Sequence, residues 1–90
     1  MVYYTVRSKV ADYRQWRDHF DSTEPTRRAA GATGSQQVFR DLQDPDSIVA
    51  ILEWDTAENA RRYLSDPSIK RDWDSPGVIG EPDICLLHQV

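Results

Sequence analysis

The chain has 90 residues, of which 15 are acidic and 11 basic, and its net charge is -4. Its basic residues are scattered, whereas a surface that follows a phosphate backbone needs clustered lysine and arginine, so nucleic acid is not expected as a partner. A chain of this size forms one domain, assigned here to residues 1–90, and small domains often need a disulfide, a metal or a second subunit for stability.

Neither a membrane nor a disulfide is expected to supply that stability. No stretch approaches the roughly 20 apolar residues of a transmembrane helix, and residues Met1–Arg7 lack the layout of a signal peptide, so we expect a cytoplasmic protein. Cys85 is the single cysteine and lies in an apolar run. We interpret it as a small hydrophobic strand residue rather than a reactive thiol.

A strand and a broken helix are predicted first. Residues Val2–Lys9 alternate in polarity as a strand does, and apolar residues then recur at helical spacing after Asp12, which is a suitable N-cap. Because proline interrupts helices, Pro25 predicts two helical pieces between about residues 12 and 30.

A hairpin follows these helical pieces. Thr33–Leu42 and Ser47–Trp54 both read as strands, and Asp44-Pro45-Asp46 between them has the composition of a turn. The second of these strands is apolar on both faces, so both faces must be covered.

The last third adds helices and one more strand. Asp55 and Glu58 resemble a capping box, and Pro67 is placed to open a further short helix. A loop is predicted over residues 76–82, and Ile84–Val90 reads as the final strand. The apolar stripe of the two helices consists of Ala57, Ala60, Leu64, Ile69 and Trp73.

The predicted element order is β-α-β-β-α-β. This order is typical of an α+β, ferredoxin-like fold with an antiparallel sheet and helices on one face. The opposite face would then carry Val49, Ile51, Cys85 and Leu87. Because an exposed apolar sheet face is an interaction site and two-fold self-association is the commonest way to cover it, we expect a homodimer through the open sheet face.

With these elements placed, the chain resembles the dimeric α+β barrel superfamily, which includes the antibiotic-biosynthesis monooxygenases. The resemblance spans the whole chain. It implies that the sheets of two subunits pack face to face and that ligands lie between helices and sheet within each subunit. The segments that carry it are Val10-Ala11-Asp12-Tyr13 with Trp16 and Phe20, Leu52-Glu53-Trp54-Asp55 with Ala57 and Ala60, Tyr63-Leu64-Ser65-Asp66-Pro67, and Gly77-Val78-Ile79-Gly80-Glu81-Pro82.

Three residues are candidates for catalysis. His19 flanks the apolar stripe of the first helix and is the best general base available, although a solvated surface histidine is the competing interpretation. Tyr63 lies at the edge of the stripe on the helix after the hairpin and could orient a ligand. Arg40 is the most plausible buried cation for a ligand oxygen, the alternative being a surface ion pair.

Several aromatic residues are candidates for the walls of a pocket. Trp16, Trp54 and Trp73 could bind a flat organic molecule, or they could be core, since small domains depend on large side chains. His88 shares a strand face with apolar residues and is either a satisfied interior histidine or a polar group in a cavity.

These residues favour a cofactor-free enzyme over the alternatives. Neither a metal-ligand pattern nor a glycine-rich phosphate loop is present, so no metal and no cofactor are expected. The resemblance implies a monooxygenase-like or cyclase-like enzyme acting on an aromatic or polyketide-like compound. The chain departs from the pattern of this family because it has no histidine near Tyr63. Asn59 corresponds only loosely to the asparagine that holds the substrate in the family. The alternatives are a non-enzymatic binder of a small hydrophobic or aromatic ligand and a structural or regulatory homodimer with a filled core.

Overall fold

A computed structural model describes the backbone of residues 1–72 and 78–90 and the side chains of residues 1–69 and 78–90. The strands form one antiparallel sheet in the order β2-β3-β1-β4. This is the strand order of a ferredoxin-like α+β fold, and the predicted fold class is confirmed. The elements are β1 (Val2–Val10), α1 (Tyr13–Ser22), α2 (Glu24–Ala30), β2 (Ala32–Arg40), β3 (Ser47–Trp54), α3 (Ala57–Ser65), α4 (Pro67–Asp72) and β4 (Val78–His88).

The first helical region runs in two pieces, as the sequence predicts. Asp12 caps α1 because its carboxylate accepts the backbone N–H of Gln15 at 3.2 Å. The helix ends at Thr23, whose N–H donates to the carbonyl of His19 at 3.2 Å. Pro25 lies in the first turn of α2, where its missing N–H removes no helical hydrogen bond.

The start of α3 differs from the prediction by one residue. Thr56 and not Asp55 is the N-cap, since the Thr56 hydroxyl accepts the Asn59 N–H at 3.1 Å. The carboxylate of Asp55 accepts instead from the Thr56 N–H at 2.6 Å and from the Asn59 side-chain amide at 3.1 Å. The predicted capping box is therefore wrong, because both of its partners are engaged elsewhere: Glu58 accepts from Arg62 at 3.1 Å.

The last strand is longer than predicted. It begins at Val78, so the predicted loop over residues 76–82 is wrong for its described part. The edge position of β4 tolerates Pro82, which donates no hydrogen bond to a neighbouring strand. The pairing with β1 shifts register between Arg7 and Lys9, and Gly80 on the opposing stretch has φ +73°.

The core lies between one face of the sheet and the helices. Paired residues of neighbouring strands share a face, which places Leu52 and Leu86 beside Tyr4 on the helix side. Trp54 is completely buried and is the largest such side chain among the described residues. The buried apolar residues of this cluster are Tyr4, Val10, Trp16, Ile48, Ala50, Leu52, Trp54, Ala60, Tyr63 and Ile69.

The other face of the sheet is apolar and open in this chain. Thr5 at its centre lies between Ile51 and Cys85 on the neighbouring strands. The register confirms that the four residues predicted for this face share it: Val49, Ile51, Cys85 and Leu87. Phe39 on β2 adds a side chain that is 50% exposed.

Gly31, at the end of α2, lies too close to Asp55 for a larger side chain, and this close approach can be tested by mutation. Its φ is +132°, and an added Cβ would lie 2.6 Å from a carboxylate oxygen of Asp55. We expect Gly31→Ala to lower the free energy of unfolding by at least about 2 kcal/mol, because backbone strain and a steric clash add together. Urea unfolding measures the change.

Gly80→Ala is the matched control, since it has positive φ but no heavy atom within 4 Å of the added Cβ. It should cost about 1 kcal/mol from the backbone alone. Equal losses in the two variants would show that contact with Asp55 does not constrain Gly31.

Candidate functional site

A cavity of about 80 Å³ lies between the helices and the sheet. Strand β1 supplies its floor through side chains that point to the helix face, and α1, α2 and α3 supply its walls. The lining residues are Tyr4, Val6, Ser8, Trp16, His19, Phe20, Thr23, Arg27, Tyr63, Ile69, Val78 and Pro82. None of these residues is acidic.

Helix α1 contributes an aromatic wall and a histidine. Trp16 is stacked between Tyr13 and Phe20, with ring centroids 6.0 and 5.0 Å away. His19 follows Trp16 by three residues and so projects from the same side of the helix. Its Nε2 atom is buried and has no hydrogen-bond partner among the described residues. A buried imidazole nitrogen beside a cavity is suited to exchange a proton with a bound molecule.

Helix α2 contributes a buried cation, Arg27, which is only 3% exposed. Its guanidinium lies 4.1 Å from the centre of the Phe20 ring and donates to the Thr23 hydroxyl at 2.6 Å. A longer contact of 3.5 Å reaches the side-chain oxygen of Gln36. Among the side chains of residues 1–69 and 78–90, the Nε–H finds no acceptor and no carboxylate forms an ion pair with Arg27.

The contacts of Arg27 with neutral groups oppose the cost of burying its charge. Removing an ion from water costs several kcal/mol even after relaxation. The contact with the Phe20 ring stabilises the buried charge by about 2 kcal/mol, and the helix C-terminus stabilises it by about 0.3–1 kcal/mol. A hydrogen bond to a neutral oxygen adds about 1 kcal/mol. The charge is thus held in place by neutral groups, without a described counter-ion.

Two phenols complete the polar groups of the cavity. Burial raises the pKa of Tyr4, and the neighbouring Tyr63 phenol raises it further, while Arg27 and the Trp54 indole oppose the rise. Tyr4 is therefore a protonated hydrogen-bond donor at neutral pH. Tyr63 is 9% exposed, and its ring lies 5.1 Å from that of Trp54.

The cavity brings together three of the residues predicted from the sequence: His19, Tyr63 and Trp16. Trp54 lies behind them, completely buried between Tyr4 and Tyr63, and does not line the cavity. Its position is that of a core residue supporting the two phenols.

Arg40 and His88 lie elsewhere. Arg40 is exposed and stacks on Tyr13 at 4.7 Å, so its interpretation as a buried cation is wrong and the surface alternative holds, with an aromatic ring as the partner. It borders a separate shallow depression, because its place at the end of β2 carries it beyond the helices. His88 pairs with Val2 and is exposed, which matches neither predicted environment. Trp73 lies outside the described residues.

Arg27 is the residue that sequence reasoning missed. It was counted only among the scattered basic residues that argue against a nucleic-acid surface. A signal was nonetheless present, since Phe20, Thr23 and Arg27 continue one helical stripe at spacings of three and four. The expected break at Pro25 obscured that continuity.

The cavity is small for an organic ligand. Sites for drug-sized molecules usually measure about 300–1,000 Å³. A groove of about 510 Å³ lies on the outer side, between α2 and α3. Tyr63 and Ile69 border both spaces. These two side chains are therefore the partition between the cavity and the groove.

The described residues offer neither a metal centre nor a membrane span. Among the side chains of residues 1–69 and 78–90, no three of His, Cys, Asp or Glu are grouped as metal ligands would be. No helix in that part of the chain combines the length and apolar character that crossing a bilayer requires.

Solved structures show where this fold occurs. SnoaB, a cofactor-independent oxygenase from Streptomyces nogalater, superposes with a TM-score of 0.77 at 17% identity, covering 99% of this chain and 92% of that one. An antibiotic biosynthesis monooxygenase gives 0.68 at 16% identity, covering 100% and 99%. Rv0793 from Mycobacterium tuberculosis gives 0.71 at 12% identity, covering 99% and 94%.

These similarities show the fold alone. No protein-family model matches the chain, and no curated protein matches it. The resemblance predicted from the sequence is confirmed at the level of architecture, because structures of antibiotic-biosynthesis-monooxygenase type share it over nearly their whole length. One architecture hosts many unrelated activities, so function must be argued from the cavity.

Replacing the Tyr4 hydroxyl tests its protonation. Because the folded-state pKa is raised above 10.0, the unfolded chain loses this proton first as pH rises, and the free energy of unfolding falls by up to about 1.4 kcal/mol per pH unit. Tyr4→Phe should make unfolding less dependent on pH between about pH 10 and pH 11. Urea titrations at several pH values measure the slope, and identical slopes in both proteins would contradict the assignment.

Proposed function

We propose that this protein is a small-molecule enzyme that acts without a cofactor on an aromatic or polyketide-like compound in the helix-sheet cavity. The observation that carries the proposal is the buried, unpartnered Nε2 of His19 in a cavity walled by Trp16 and closed by Tyr63. A base, an aromatic wall and a phenol are the groups needed to bind and ionise a flat hydroxylated molecule.

In this proposal His19 removes a proton from the substrate's hydroxyl or enolisable position. The resulting electron-rich anion transfers electrons to dioxygen, which is the oxidant. Converting an activated methylene group to a carbonyl consumes a molecule of dioxygen and releases a molecule of water, so atoms and electrons balance without a further reductant. Tyr63 orients the ring through its hydroxyl.

The solved structures support this reaction class by analogy. SnoaB, which has the same fold, is described as a cofactor-independent oxygenase. The shared fold favours oxygenation. It does not distinguish oxygenation from a cyclase reaction, because a cyclase would need the same base and the same aromatic walls.

A multi-ring substrate requires more space than the cavity offers. Because Tyr63 and Ile69 separate the cavity from the outer groove, displacement of these side chains would join the two spaces. The reactive ring would then lie beside His19, and the rest of the molecule would lie between α2 and α3.

His19→Gln tests the base. Glutamine keeps a polar side chain but does not accept a proton, so turnover should fall by about 10²–10⁴. Dioxygen uptake and mass spectrometry are followed with phenols and enolisable aromatic ketones of graded size. Asp18→Asn is the control, because it changes the neighbouring exposed position on α1.

Unchanged turnover in His19→Gln would exclude the mechanism. Retention of a ligand without any product would favour the non-enzymatic binder instead. The small volume of the cavity also supports the alternative of a structural or regulatory homodimer with a filled core. Failure of the wild-type protein to bind or convert any compound of the series would favour that alternative.

A second copy of the chain is the proposed occupant of the open sheet face. Residues Phe39, Ile79 and Leu87 are 50%, 54% and 45% exposed there. The apolar band ends in polar pairs, such as Lys9 with Asp44 at 3.4 Å and Tyr3 with Glu53 at 3.1 Å. An apolar centre with a polar rim is the usual composition of a protein interface, and self-association needs no other partner.

Ile51→Lys tests this dimer. A lysine at the centre of the face would be desolvated without a partner on association, so the variant should sediment as a single folded chain while the wild type sediments as a dimer. Gln15→Lys adds the same charge at an exposed position of α1, on the helix side of the sheet, and should remain dimeric. A monomeric wild type at micromolar concentration would contradict the proposal.

A further inference from the structure

We infer that Arg27 makes the helix-sheet cavity a binding site for a monoanionic oxygen ligand, namely a phenolate, an enolate or a carboxylate. The inference deepens the proposed function, on which it rests for the statement that this ligand is the substrate. Binding of the anion itself depends only on the cavity and its charge.

The cavity carries a positive charge that none of its described walls neutralises. Arg27 lines it, is almost fully buried, and has no ion-pair partner among the side chains of residues 1–69 and 78–90. Its Nε–H is buried without an acceptor from the same residues. A guanidinium presents its N–H groups in a planar arrangement that matches the two oxygens of a carboxylate or the single oxygen of a phenolate.

The remaining polar groups are suited to an anion rather than to a cation. The hydroxyls of Tyr4 and Ser8 line the same space and can donate hydrogen bonds. Carboxylates, which a cationic ligand would need, do not occur among the lining residues that the structure describes. An ionised oxygen beside Arg27 would therefore be stabilised by the guanidinium and by neutral donors.

The neighbouring Arg28 shows the contrast within one helix. It is exposed and pairs with Glu24 at 3.7 Å. The two arginines thus carry the same charge at adjacent positions, but only Arg27 projects into the cavity. Arg28→Met is for this reason a matched control for the loss of one positive charge.

The competing explanation is that Arg27 is purely structural. Its contacts with Phe20 and Gln36 connect α2 to α1 and to β2. A structural role predicts that Arg27→Met lowers the melting temperature. Ligand binding predicts that the unliganded variant melts at the same or a higher temperature, because an unpaired buried charge has been replaced by an apolar side chain of similar length.

The experiment compares ligands that differ only in charge. Acetate and acetamide probe the cavity at its present volume, and benzoate and benzamide probe it with one ring. Titrations follow the Nε–H resonance of Arg27 by NMR and the melting temperature. Wild type and Arg28→Met should bind the carboxylates and not the amides. Arg27→Met should bind the carboxylates at least about tenfold more weakly, and Arg27→Lys should retain part of the affinity as a point charge.

Each result decides the inference. Equal affinity for carboxylate and amide, carboxylate binding unchanged in Arg27→Met, or no binding by the wild type would overturn it. A lower melting temperature of Arg27→Met without any carboxylate effect would assign the residue a structural role. Carboxylate binding that needs Arg27, in a protein without oxygen uptake, would support the anion site while removing the proposed reaction.

Discussion

The structure depends on the apolar character of β3 on both of its faces. On the helix side, Leu52 and Trp54 are almost completely buried and anchor the aromatic cluster. On the other side, Val49 and Ile51 form the middle of an open apolar face. Because one layer of helices covers only one side of a sheet, this strand buries one face within the chain and leaves the other face open.

The position of the cavity follows from how the helices cover the sheet. Trp54 fills the space beneath Tyr4 and Tyr63, so the remaining gap lies between β1 and the junction of α1 with α2. The break at Thr23 turns α2 so that Arg27 faces this gap together with Phe20. A base, two phenols and a cation without a counter-ion among the described side chains thereby surround one small space, although they come from four different elements.

Much of the candidate site could be predicted from the sequence. His19, Tyr63 and Trp16 belong to regular helices, where spacing of three or four residues determines which side chains share a face. Arg40 was misplaced because alternation in a strand identifies a face but not how far the covering helices extend along it. The N-cap of α3 was misplaced by one residue because Asp55 and Thr56 are both good caps, and only the position of Asn59 distinguishes them.

The sequence by itself determined the order of the elements, the two-piece first helix and the residues that share the open sheet face, since these depend on local periodicity and on proline. Only the tertiary structure decided which arginine is buried and how large the cavity is. A long side chain such as Arg27 can extend into solvent or fold inward, and the choice depends on the packing of α2 against Phe20 and β2. That packing joins residues from separate elements, and no local pattern encodes it.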